Sequence, residues 1–71
     1  MIMVFSLYDV VMLLQDLPEE GLHAGMRGAV VDVYTSPVTA YEVEFCDASG
    51  RTIAQLALFP AQLQFVLDAQ S

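Results

Sequence analysis

Five consecutive residues in the middle of the chain, Tyr41-Glu42-Val43-Glu44-Phe45, alternate apolar and acidic without a break. Successive side chains of an extended strand point to opposite faces, so Tyr41, Val43 and Phe45 share one face and Glu42 and Glu44 the other. "AYEVEFCD", residues 40–47, therefore reads as a strand with one dry face and one wet face. "DASGR" follows as a hairpin turn, with Gly50 placed where a positive φ is needed. "RTIAQLALF", residues 51–59, reads as the partner strand, with Ala54, Leu56 and Leu58 on one face and Pro60 as its stop.

The flanking segments extend this pattern. Val10–Leu14 reads as a strand; its apolar run also fits a short helix over Leu7–Leu14, because a continuous run has no decisive period. Leu17–Gly28 carries Pro18, Gly21, Gly25 and Gly28 and reads as a long loop. Arg27–Tyr34 is a strand in which Val31 and Val33 alternate with Asp32. "TSPVT" is a turn, "PAQL" a short 3-10 turn opened by Pro60, and Phe65–Leu67 a brief last strand. The order is strand, long loop, strand, turn, strand, hairpin, strand, tight helical turn, short strand. It predicts an all-β fold: a small five-stranded barrel like the Src-homology-3 type with one short 3-10 turn. Gly25 and Gly28 fall where the long loop re-enters the sheet and read as corner glycines. Residues 1–71 form a single domain, with residues 1–5 as an apolar N-terminal extension expected to add a strand to a neighbouring subunit.

Composition narrows function. Nine carboxylates face only Arg27 and Arg51, for a net charge of −7 and no lysine. Phosphate backbones are held by Lys and Arg, so the reading is no nucleic acid. The same field repels anionic lipid surfaces and attracts basic proteins or cationic small molecules. Acidic charge also serves simply to keep an apolar chain soluble. At 71 residues and 56% hydrophobic content, the chain has more apolar surface than so small a core can hide. The surplus points to a homo-oligomer. "MIMVFSLYDVVMLL" is interrupted by Ser6, Tyr8 and Asp9, lacks a basic flank and is too short for a span, so no membrane is expected. A lone Cys46 fits a reducing compartment and a cytoplasmic location.

No catalytic, cofactor or metal constellation stands out, and the reading is no enzyme. Gly25-x-x-Gly28 lacks the Lys-Ser/Thr pair and following helix of a phosphate loop. His23 has no second histidine or thiolate at ligand spacing and reads as a solvated loop residue. Cys46 has no neighbouring base, and Ser6, Ser36, Ser49 and Ser71 sit in turn-like or terminal places. Glu42 and Glu44, with Asp32 across the strand pair, form an acidic outer face. Such a face can remain merely solvated, meet a basic protein, or, less simply, hold a cation or serve acid–base chemistry. The partner-binding candidates are Asp32, Glu42 and Glu44 for encounter and Tyr41, Phe59 and Phe65 for affinity.

Three resemblances add to this. Gly25-x-x-Gly28 with its following valines resembles the glycine-bearing loop and strand of KOW-type barrels, whose basic RNA-binding loops have no counterpart here. "SLYDV", residues 6–10, resembles the Ala-Leu-Tyr-Asp-Tyr signature of Src-homology-3 domains, and "FPAQLQFV", residues 59–66, their closing Pro-Ser-Asn-Tyr-Val stretch. The aromatic floor that grips proline-rich peptides in those domains is absent: Val10 and Leu63 stand at tyrosine positions and there is no Trp. Tyr8 then reads as a half-buried barrel residue. Finally, "LYDVVMLLQDLPEEGLHAGMRGAVVDVY", "YEVEFCDASGRTIAQLAL" and "PAQL" together resemble a small bacterial family catalogued as a domain of unknown function. The resemblance implies a short acidic protein whose gene often lies beside another small gene, in an arrangement similar to toxin–antitoxin or toxin–immunity pairs. The apolar Met1–Phe5 extension and Met26, at a position usually acidic, depart from the family pattern and are expected to add apolar surface.

Two functions follow. The first is a non-enzymatic interaction module, an acidic barrel that binds a basic protein encoded nearby in an antitoxin- or immunity-like role. The second is a homo-oligomeric binder of a cationic or apolar small molecule at a subunit interface.

Overall fold

The computed structural model describes residues 5–67. Five strands form one antiparallel sheet: β1 (Val10–Leu13), β2 (Arg27–Tyr34), β3 (Ala40–Cys46), β4 (Thr52–Leu58) and β5 (Leu63–Phe65). Their spatial order is β4-β3-β2-β1-β5. β1 lies between β2 and the last strand, and a β2-β3-β4 meander completes the all-β, Src-homology-3-like arrangement. Two 3-10 turns, Pro18–Glu20 and Pro60–Gln62, complete the regular structure of the described residues.

The alternation that marked β3 has the expected result. Tyr41, Val43 and Phe45 are buried, while Glu42 and Glu44 are only half-buried on the opposite face. The core gathers them with Val11 and Leu13 of β1, Val30 of β2, and Leu58 and Leu63, and it contains no buried polar or charged residue. Each such side chain taken from water contributes roughly 1.5–3 kcal/mol, set against the entropy of ordering the chain.

The two loop glycines have different work. Gly25 takes φ +95° and donates its N–H to Leu13 O at 2.7 Å, turning the long loop into β2. Gly28 lies under β3: a Cβ there would stand 2.7 Å from Val43 Cγ1 and 2.8 Å from Glu44 O. Only a residue without a side chain lets β2 and β3 approach so closely. Gly50 has the positive φ expected of the hairpin turn, at +86°.

Several expectations change. The last strand is Leu63–Phe65, two residues earlier than Phe65–Leu67, because Leu63 pairs with Leu13 and takes the buried position directly after the turn. The long loop holds more structure than its Pro and Gly content suggests. Leu17 and Leu22 bridge each other around the Pro18–Glu20 turn, and Leu22 is buried in the core. Phe5 is not part of a detached extension. It is 3% exposed, its ring meets Tyr41 edge-on at 5.1 Å, and its N–H donates to Tyr41 Oη at 3.1 Å. The expected pairing of residues 1–4 with a neighbouring subunit lies outside the described residues. Met26 is half-buried against the core and adds little free apolar surface.

Candidate functional site

The acidic face is built by register. In β2 a bulge falls between Val30 and Asp32. Val30, opposite Val43, is fully buried. Simple alternation would put Asp32 on that same inner face. The extra residue, Val31, resets the phase, so Asp32 pairs with Glu42 on the outer face while Val33 pairs with Tyr41 on the inner one. Asp32, Glu42 and Glu44 thus come to one side of the β2–β3 pair, as the sequence implied.

Neighbouring strands hold these carboxylates in place. Tyr34 Oη donates to Glu42 Oε1 at 3.2 Å and Gln55 Nε2 to Glu42 Oε2 at 3.3 Å. Thr52 Oγ1 donates to Glu44 Oε2. Asp32 Oδ1 accepts the Val33 N–H at 2.8 Å. The Tyr34 phenol is held above its ordinary pKa by desolvation first, then by its bond to Glu42 and by the charges of Glu42 and Asp32. The two glutamates are thus bonded to neutral side chains of β2 and β4, and Asp32 to the backbone of its own strand.

The aromatic candidates separate. Tyr41 is 1% exposed, so its assignment to a partner contact is corrected: it is a core residue whose hydroxyl accepts the Phe5 N–H. Phe59 is exposed just beyond β4, where its N–H donates to Gln62 Oε1 at 2.7 Å. Phe65 is partly exposed on β5 opposite Val11, with β1 and β2 between it and the acidic strand β3. Neither extends the acidic face.

Tyr8 is the aromatic that sequence reasoning misplaced. It is 77% exposed, not half-buried, and sits at φ +72°. Asp9 N–H donates to Ser6 O at 3.0 Å and Asp9 Oδ2 accepts the Ser6 N–H at 2.8 Å, closing a tight turn with Leu7 and Tyr8 at its tip. A positive φ is uncommon for any residue with a Cβ and strained for a bulky one. The Tyr8 N–H donates to Val30 O at 2.7 Å, which anchors the turn to β2.

The remaining candidates stay apart. His23 and Cys46 are both exposed. Among the described residues no three His, Cys, Asp or Glu side chains converge as metal ligands, and no cavity opens. Among them, no helix is long and apolar enough to cross a membrane.

The fold and this face define a small all-β domain, one five-stranded antiparallel sheet with an acidic outer surface. The chain belongs to the family described as "Domain of unknown function (DUF4926)", whose sequence model matches residues 7–65. No curated protein and no solved structure matches the chain significantly.

Proposed function

We propose that this protein is a non-enzymatic interaction module whose acidic outer face receives a basic protein, in a role like that of an antitoxin or immunity protein. The observation that carries the reading is the convergence of Asp32, Glu42 and Glu44 on one side of β2 and β3, with both glutamates steadied by Tyr34, Gln55 and Thr52. Charge held in place before encounter costs less ordering on binding. In a chain of net charge −7 the face supplies long-range attraction for a cationic partner. The exposed thiol of Cys46 is at home in the reducing cytoplasm, where such a partner would be met.

The test is capture from the native host with the wild-type protein and with the Asp32→Asn/Glu42→Gln/Glu44→Gln triple variant side by side. A single stoichiometric basic protein should be retained by the wild type, released by salt, and lost with the variant. Equal retention by both proteins would exclude the acidic face as the binding surface.

A further inference from the structure

The charges of this chain are segregated in a way the acidic-face reading does not use. From Thr52 to Leu67 the sequence holds no charged residue; every Asp, Glu and Arg lies before Thr52 or after Leu67. That neutral stretch builds β4, the Pro60–Gln62 turn and β5. β4 and β5 are the two outermost strands of the sheet. Both sheet edges are therefore uncharged, where soluble proteins ordinarily place lysines, other charges or prolines to block edge pairing.

The neutral stretch leaves several apolar side chains in water, as do Leu7, Tyr8, Leu14, Tyr34 and Val38 elsewhere in the chain. Ile53, Phe59 and Leu67 are 44%, 55% and 82% exposed, and Phe65 is 37% exposed. Among the described residues the backbone of β4 bonds to β3 and to nothing on its other side. A bulge offsets the register near Ile53, leaving Ala54–Leu58 as the regular run. That run, Ala-Gln-Leu-Ala-Leu, contains neither Pro nor charge and is rich in apolar residues. Unpaired N–H and C=O groups along such an edge form a template for another strand.

We infer that β4 is a self-association edge: two copies pair β4 against β4 in antiparallel fashion about a two-fold axis, with Phe59 of each covered at the flank. The occupant follows from charge. Each copy carries −7, so two copies repel wherever carboxylates meet. The neutral stretch carries no carboxylate of its own, so copies meeting there repel least, chiefly through Glu42 and Glu44 on the next strand. A two-fold contact uses the same patch twice, and a neutral apolar strand complements itself. This inference stands apart from the acidic-face reading, and salt separates the two. Screening strengthens the pairing of like-charged copies and weakens capture of a basic partner.

The test is the solution mass by analytical ultracentrifugation at low and high salt, for the wild type and for Gln55→Lys and Gln55→Glu. Gln55 is exposed on β4, where its amide donates to Glu42, so both variants also alter the acidic face, and a urea midpoint taken for each checks that the single chain still folds. The wild type should sediment at twice the 7.8 kDa chain mass, more completely at high salt. Each variant alone should sediment as one chain, because two like charges are brought to diagonal positions beside the axis. An equimolar mixture of the two variants should restore the dimer. Phe59→Ser, at an exposed position outside the buried core, should also shift the wild-type mass downward. A wild type that stays monomeric at high salt, or a dimer indifferent to both Gln55 variants and to Phe59→Ser, would overturn the inference.

Discussion

At Gly28 a single missing carbon sets the distance between two strands. The nearest neighbours of a Cβ there include the Glu44 carbonyl, which cannot rotate away as a side-chain tip can. Gly28→Ala should lower stability by roughly 1–3 kcal/mol, the usual cost of forcing atoms into a packed site. A urea midpoint equal to that of the wild type would show that β2 and β3 separate freely. At this scale the sequence was legible where a residue belonged to a pattern and illegible where it stood alone. Gly28 announced a corner, though not that the crowding came from β3. Phe5 and Leu22 are core residues outside every strand, since a tight turn follows one and Pro and Gly flank the other. Tyr41 shows the converse: its face was plain from alternation, and that face is the buried one, so it was never available to a partner.

The β3–β4 hairpin shows what an element adds. Asp47 Oδ1 accepts the Ser49 N–H, the Ser49 hydroxyl and the Arg51 N–H at 2.7–3.0 Å, while Gly50 N–H donates to Asp47 O. The Ser49 hydroxyl chiefly, then the Arg51 and Ser49 amides and the Arg51 side chain, hold the Asp47 carboxyl below its ordinary pKa. A carboxyl depressed in the fold stabilises it fully above the unfolded pKa of about 3.9 and loses that contribution as pH falls through the folded value. Asp47→Ala should therefore destabilise the protein at neutral pH, and its deficit in urea midpoint should shrink as pH drops below about 4. A deficit constant across that range would assign the effect to turn geometry without charge. The hairpin strands were readable because alternation and turn chemistry agree over many residues. The short elements were not. A three-residue turn such as Pro18–Glu20 has no period, and β5 is positioned by Leu13 and Val11, which lie some fifty residues earlier. The acidic face was legible in membership but not in mechanism, because it depends on the bulge at Val31 that shifts Asp32 outward.

For the whole molecule, charge balance is the governing quantity. Nine carboxylates and two arginines are confined to one compact chain, and the ion pair within the described residues, Arg51 with Asp47 at 3.4 Å, lies in an exposed turn. Compaction brings like charges together, so added salt should raise the urea midpoint at dilute protein concentration. The gain should be largest from about 10 mM to 0.15 M, where the screening length falls from roughly 30 to 8 Å. A midpoint flat across that range would show that the carboxylates are already too far apart to interact.

The position of β1 between β2 and β5 also governs when this protein can begin to exist as a folded object. Val11 needs both Gly28 and Phe65 beside it. A nascent chain emerging from the ribosome can close the β2-β3-β4 meander while its first strand still lacks one neighbour, and that strand stays half-clothed until Leu63–Phe65 has been translated. Folding of the domain thus waits for the segment that supplies β5, and a premature stop before Leu63 yields a sticky fragment fit for proteolysis instead of a smaller version of the domain.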